Sequence, residues 1–469
     1  RVAVLPFEGP KDEIVSEPLG DMLSADIVSK LGRFGPARLG VVAYTSATSY
    51  RGSGKRGGQI GRELRVDYLV EGSLRVAEQR LIVTARLVSA GDETLVKVWE
   101  YQRDPGTIYG VADEVAADVA RTMGVLSPAG PAGREATEPI GREAYQLYLR
   151  ARYHLNHRTG RLALARQYLE TALERAPGFA PAYAARAEVF SRIARRSAGA
   201  EKQEAWATAE ASARKALALD GGLPAAHVVL AAILLFRDWD WRGAEAEYRR
   251  ALAADPQDPD VCHGYATFLT SAGRIDEAIV QRQRAVEADP LNVTLISFLG
   301  TAFVFARRYD DAIREFQKAL ELEPDSRQAV SGLADAYARK GDEAGAAAQT
   351  IRLLTLAGPK EVAGEFEARY RTRGFRAAER WLDEQNLETY GRQPSTNAWN
   401  LAFTNARLGH ADAAFRWLDA AFAARDAGVL QMRVDPDVDS LRADPRFQAM
   451  LRRIGPSGAG GENGERRPG

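Results

Sequence analysis

Three stretches, AEAEYRRALAADP (244–256), AIVQRQRAVEADP (278–290) and AIREFQKALELEP (312–324), decide how this chain folds. Alanine recurs at Ala244, Ala278 and Ala312, again at Ala251, Ala285 and Ala319, and each stretch ends on proline, at Pro256, Pro290 and Pro324. All three series step by 34 residues. Alanines seven apart lie on one helix face. A proline just past the last turn ends the helix, because it has no N–H to continue the ladder. Ahead of each such helix lies another apolar face: Leu230, Ala231 and Leu234, then Tyr265, Ala266 and Leu269, then Leu299, Gly300 and Phe303. The unit is a pair of antiparallel helices that approach closely where the small residues meet.

A fixed period of 34 is the signature of the tetratricopeptide (TPR) repeat. One helix pair cannot bury its own apolar face, so neighbours stack and leave an open concave surface that suits binding rather than chemistry. Outward from the clear centre the pattern loosens. Ala165, Leu169, Ala172 and Pro177 mark one further second helix, and Ala209, Ala213 and Ala216 another, with a longer helix or loop around Arg195–Gln203. Downstream, Leu333, Ala334 and Tyr337 open a unit, Phe366–Leu382 gives a degenerate one, and Leu401, Ala402, Ala414, Leu418 and Ala421 give the last. About seven helix pairs are expected over 143–454, coiling through most of a superhelical turn. Val434–Ile454 is expected to cap the end.

Composition narrows the function. Lys plus Arg and Asp plus Glu are 63 each, so broad electrostatic attraction to nucleic acid is not expected of these residues. The lone cysteine, Cys262, leaves no intramolecular disulfide and fits a reducing, cytoplasmic setting. Its repeat position is a helix-packing one, which reads as a buried, inert thiol. No apolar run is long enough to span a membrane, and no secretory leader is recognised. The chain opens at Arg1 directly before VAVLPF, which reads as the interior of a longer protein.

Before the repeats the periodicity becomes alternating. Val2–Phe7, Leu39–Ala43, Tyr68–Val76, Leu81–Val88 and Thr94–Tyr101 read as strands, with a turn at Gly91–Asp92. Pro18–Leu31, Gln59–Leu64 and Ile108–Met123 read as helices. These elements make residues 1–125 an α/β domain with a mixed sheet. The Pro-, Gly- and Ala-rich stretch within 126–142 is a linker, and 455–469 is expected to be a disordered tail. The expected fold class is therefore an α/β amino-terminal domain followed by an all-α superhelical TPR solenoid.

The strings RVAVLPF (1–7), IGRELRVDYLVEGSLR (60–75) and LIVTARLVSAGDE (81–93) resemble the TolB-like amino-terminal domain of bacterial regulatory proteins. The resemblance continues through WDWRGAEAEYRRAL (239–252), GRIDEAIVQRQRAVEADPLN (273–292) and VDPDVDSLRADPRF (434–447). The order matches the winged-helix, TolB-like, TPR transcriptional regulators. There a winged-helix DNA-binding domain usually precedes the TolB-like domain, and relatives carry a nucleotide cyclase or a serine/threonine kinase domain instead. None of these domains is present in this sequence. The resemblance thus implies such outputs for a parent protein and a signal-input or scaffold role for these residues.

The loop Gly52–Gly58, GSGKRGG, lies between an expected strand and helix. A phosphate loop, however, needs glycine five residues before the Gly-Lys pair and Ser or Thr after the lysine, whereas Ser49 and Arg56 stand there. His154 and His157 share a helix face but lack companion ligands. His263 and Cys262, adjacent on a helix, diverge too far to act as base and nucleophile. Trp239 and Trp241 read as a wedge between the two helices of one unit. No enzyme, metal or cofactor is expected.

The expected binding surface is the wall formed by the first helix of each unit. Alignment of the repeats puts Asp260, His263, Thr267 and Thr270 there, then Thr294, Ser297, Thr301 and Phe305, then Gln328, Ser331, Asp335 and Arg339. These suit hydrogen bonding to an extended segment or helix of a protein or peptide partner, or else merely solvate the wall. The competing reading is a small-molecule or nucleotide sensor with its ligand in the α/β domain near Gly52–Gly58.

Overall fold

The computed structural model describes residues 1–9, 16–34, 39–77, 80–103, 109–126, 141–156 and 161–455. His157, most of the expected linker and nearly all of the expected tail lie outside them. Contacts divide the chain into two compact units. The first is Arg1–Ile233 with Ala246–Cys262 and Arg284–Asn292; the second is Leu234–Glu245, His263–Gln283 and Val293–Gly469.

In the first unit, β1 (Val2–Val4), β2 (Tyr68–Ala77), β3 (Arg80–Ser89) and β4 (Leu95–Arg103) form one sheet in that order. β1 runs parallel to β2 and the other pairs are antiparallel, so the sheet is mixed. Leu39–Ala43 does not become a strand. It makes a single bridge, Val41 to Val2, because the Ala43 N–H is taken by the Ala288 carbonyl at 2.7 Å and α2 begins at the next residue. The helices of this region are α1 (Ser16–Arg33), α2 (Tyr44–Thr48), α3 (Gly57–Leu64) and α4 (Tyr109–Thr122). Val4, Phe7, Ile27, Leu31, Val83, Val115 and Val119 belong to one core, which continues into Leu149, Leu169 and Val189 of the first repeat helices. Ala3, Val42, Ile60, Leu64 and Leu69 form a second.

The Gly52–Gly58 loop joins two helices rather than a strand and a helix. The Lys55 ammonium is held by both oxygens of Glu63 at 3.0 and 2.8 Å. That pairing draws the Glu63 carboxyl below its ordinary range and engages the cation that a phosphate loop would use.

Sixteen of the remaining described helices form eight pairs where sequence periodicity gave about seven. The first three are α5 (Arg142–Asn156) with α6 (Leu162–Arg175), α7 (Ala180–Ala194) with α8 (Gly199–Leu219), and α9 (Pro224–Ile233) with α10 (Trp241–Ala254). Next come α11 (Pro259–Ser271) with α12 (Ile275–Ala288), α13 (Val293–Phe305) with α14 (Tyr309–Leu322), and α15 (Arg327–Lys340) with α16 (Glu343–Ala357). Last are α17 (Lys360–Arg373) with α18 (Phe375–Gly391) and α19 (Pro394–Arg407) with α20 (Ala411–Ala423). Two 3-10 turns, Ala427–Gln431 and Pro436–Leu441, then lead to α21 (Pro445–Ile454).

The first unit holds the sheet and the first repeats together. Asp289, just past α12, accepts from Thr45 and Ser46 at 2.5 Å each, and Tyr145 of α5 donates to Asp26 of α1 at 2.7 Å.

In the second unit the turn inside a helix pair needs one residue in the left-handed region. Gly273 and Gly341 supply it. Trp239 and Arg307, one repeat length before each, adopt it without being glycine, at φ 58° and 61°, at a cost of roughly 1 kcal/mol or more each. Trp239 and Trp241, expected to wedge between the helices of their own pair, both reach beyond it. Trp239 meets Phe422 edge to face at 4.8 Å, and the Trp241 indole donates to the Ile454 carbonyl at 2.9 Å. Both are drawn to the carboxyl-terminal segment.

Packing at the small positions is tight. Phe316 of α14 inserts between Gly300 of α13 and Gly332 of α15, and a methyl at residue 332 would lie 2.3 Å from the ring. Alanine gains about 0.5–1 kcal/mol over glycine within a helix, yet overpacking costs about 1–3 kcal/mol. Gly332→Ala is therefore expected to lower the denaturant midpoint, and an unchanged midpoint would show that this contact does not govern repeat stacking.

Candidate functional site

The first helices of the pairs carry the twelve residues expected to line the groove, and the structure sorts them. Thr270 and Ser297 are buried. Their hydroxyls donate to Ala266 and Val293 carbonyls one turn back, at 2.8 and 2.7 Å. They are helix-packing residues, because a small side chain whose hydroxyl bonds its own helix can be buried without an unmet donor. Thr294, Gln328 and Ser331 are exposed. His263, Thr267, Thr301, Phe305, Asp335 and Arg339 are half-buried, the condition of a wall rather than a core.

Asp260 belongs to the first unit. The residue as a whole is exposed, yet its carboxyl stands in a crowded recess beside Asp258 and Glu188. Desolvation, then these two like charges, raise its pKa against the pull of Arg152 and Arg192. Arg152 pairs with Glu188 at 3.1 Å, and Arg192 donates to the Leu155 carbonyl at 2.9 Å. This recess is an ion network rather than a row of neutral hydrogen-bonding groups.

In the second unit Thr301, Phe305, Asp335 and Arg339 come together around one cavity of about 200 Å³, completed by Val304, Phe316, Gly332, Asp435, Pro436 and Asp437. The last three belong to the expected cap, which lies across the carboxyl ends of α13, α15 and α19. Val434, Val438 and Leu441 anchor it by burial. Its carboxylates answer arginines on those helix ends: Arg307 holds Asp439 at 2.8 and 2.9 Å and the Val434 carbonyl at 2.7 Å. Asp437 takes Arg339 on one oxygen at 2.6 Å and Arg407 on the other at 3.4 Å. Arg407 also binds Asp383, and Arg339 also binds Asp335 at 2.7 Å.

Asp435 accepts the Asp437 N–H at 2.9 Å as the cap of the second 3-10 turn. Burial, reinforced by Asp437, pushes its carboxyl upward. Burial also raises Asp335, although Arg339 counters it.

The segment 434–441, expected only as part of a terminal cap, supplies three residues of this cavity's lining. Its signal was present: Arg307 occupies a turn position that is glycine one repeat later, and Asp435, Asp437 and Asp439 alternate along the strap. Elsewhere, Cys262 is buried and its thiol is pushed up to about 12 by desolvation. His154 stacks on Tyr168 at 5.7 Å.

The tetratricopeptide repeat family matches residues 235–296 and 299–361. These helix pairs are TPR repeats. The chain is 29% identical over 249 residues, 53% of its length, to a Rhizobium meliloti (strain 1021) protein named "Putative adenylate cyclase 3". It spans 42% of that relative. Among solved structures it is similar to YrrB, described as a TPR protein with an unusual peptide-binding site: 18% identity, 43% of this chain and 97% of that one, TM-score 0.32. A human IFIT1 dimer with PPP-AAAA matches at 18% identity over 67% of this chain and 77% of that one, TM-score 0.41. No described helix is long and apolar enough to cross a membrane.

The upward push on Asp435 predicts a pH-dependent stability. A carboxyl whose folded-state pKa is raised binds its proton more readily when folded, so its ionisation costs stability above that pKa and the cost vanishes below about 4. Asp435→Asn keeps an acceptor for the Asp437 N–H. It is expected to raise stability at about pH 8 by roughly 1–3 kcal/mol, with the gain fading towards pH of about 4. Thermal melts across that range check it; a gain that grows on acidification would contradict it.

Proposed function

We propose that this chain is a non-enzymatic, cytoplasmic regulatory module whose TPR wall binds a segment of a protein or peptide partner, as the signal-input or scaffold part of a bacterial transcriptional regulator. The observation that carries this reading is the half-buried set His263, Thr267, Thr301, Phe305, Asp335 and Arg339 on first helices of successive pairs. Such a set offers donors, acceptors and one aromatic to an extended segment. The TolB-like resemblance of the amino-terminal sequence and the likeness to a protein named as an adenylate cyclase support a place beside an output domain, whether winged helix, cyclase or kinase.

A second reading, sensing of a small molecule, is favoured by the cavity of about 200 Å³, which moves the candidate ligand from the Gly52–Gly58 loop to the TPR wall. It is below the usual range of drug-sized sites, about 300–1,000 Å³, so the ligand would be small.

The two readings separate in one pair of measurements on the full chain. Selection from a library of random octapeptides is expected to yield binders that lose about 1–2 kcal/mol of affinity on Phe305→Ala, with little change in melting temperature. A thermal-shift screen of nucleotides and metabolites is expected to give no stabilisation. A hit there, with no selected peptide, would replace the first reading by the second.

A further inference from the structure

The sheet of the first unit ends on an open edge. β4 pairs with β3 on one side, and no described strand pairs with it on the other. Alternate residues of such a strand turn their N–H and C=O groups away from the paired neighbour, so the edge carries free donors and acceptors. Edges are ordinarily guarded by charge, proline or shortness. This one runs for nine residues without proline. Leu95, Val96 and Val98 on it are 57%, 44% and 46% exposed, so three of the seven exposed large apolar side chains among the described residues fall within four positions.

The two faces of β4 differ. Lys97, Trp99 and Tyr101 lie opposite Leu87, Ala85 and Val83, on the face that shares a core with α1 and α4. Tyr101 there donates to Asp118 of α4 at 2.8 Å. Val98 and Glu100 lie opposite Arg86 and Thr84 on the other face, where Arg86, Val98 and Glu100 are exposed. The register shifts between Leu87 and Val88, which leaves Val96 without a partner on β3. A bulge of this kind bends the start of the strand off any new ladder, so an added strand is accepted over the regular part, 97–103.

Charge decides which strand fits. β4 carries Lys97, Glu100 and Arg103. Two copies of β4 about a twofold axis run antiparallel, and the residue on the axis fixes every opposite pair. An axis at Lys97 sets that lysine against its own copy. One at Glu100 sets Glu100 against itself and Lys97 against Arg103, and like charges directly opposite are destabilising. An axis at Val98 draws the bulged Val96 into the ladder, and one at Tyr101 leaves Val98 uncovered. An axis at Trp99 has none of these faults: Trp99 meets its copy, Val98 meets Glu100, and Lys97 meets Tyr101 beside Asp118.

We propose that β4 pairs antiparallel with β4 of a second copy of this chain about an axis at Trp99, joining two four-stranded sheets into one continuous sheet. The free backbone groups of the edge then bond each other. Each Lys97, 5.8 Å from its own Trp99 ring, comes opposite a second aromatic ring, and the two Val98 side chains become diagonal neighbours on the exposed face. The surface belongs to the sheet rather than to the helix pairs, so the pairing stands apart from the groove-binding reading.

Sedimentation of the full chain over a range of concentrations is expected to show a reversible monomer–dimer equilibrium. Val98→Glu sets a carboxylate against Glu100 of the second copy, twice across the axis, and is expected to weaken the dimer about tenfold. Val98→Lys gives up the same apolar surface but sets opposite charges together, and is expected to lose clearly less. Val98→Glu combined with Glu100→Lys is expected to recover the dimer. Val98 is exposed beside Arg86 of its own chain, so Val98→Glu leaves the folded monomer intact, which circular dichroism checks. A chain that stays monomeric throughout overturns the proposal, even where the edge takes up a strand of another protein. A dimer that Val98→Glu does not weaken, or that both single substitutions weaken equally, overturns it as well.

Discussion

The close approach of helices at small residues is the contact on which the repeat architecture depends. Phe316 enters the space left by Gly300 and Gly332, and the alanines that recur every 34 residues are buried. Each pair is thereby obliged to borrow its core from neighbours. With the alanine face spent on stacking, the solvent-facing residues of the first helices, such as Thr294, Gln328 and Ser331, are left exposed.

That wall is built in ions as much as in neutral donors. Long side chains from one element reach carboxylates on another, as Arg152 of α5 reaches Glu188 of α7 and Arg339 of α15 reaches Asp437 of the second 3-10 turn. Partly buried pairs of this sort contribute modestly to stability because desolvation offsets attraction, but they fix orientation. The acid-rich strap at 434–441 uses this: its apolar residues supply the adhesion, and its aspartates set which arginine each position meets. Arg307 accepts a left-handed backbone and in return reaches both Asp439 and the Val434 carbonyl.

Stability and recognition pull apart at two places. Asp435 and Asp335 are carboxyls held in surroundings that disfavour their charge, and the described partners of the buried Arg282 guanidinium are His263 and Thr267 rather than a carboxylate. A chain selected for stability alone would lose such groups.

The 34-residue period, the prolines and the alternating strands were legible in the amino acids because they are local: helix faces and strand faces repeat with the geometry of the backbone itself. The periodicity located the first helices, and hence Thr301, Phe305, Asp335 and Arg339. It could not say that Ser297 and Thr270 are buried, since a hydroxyl that bonds its own helix leaves no trace in spacing. Nor could it show that Ala43 bonds the carbonyl of Ala288, or that Asp437 lies between Arg339 and Arg407. Those contacts join residues tens to hundreds of positions apart. They depend on how successive helix pairs stack, and only the tertiary structure decides that.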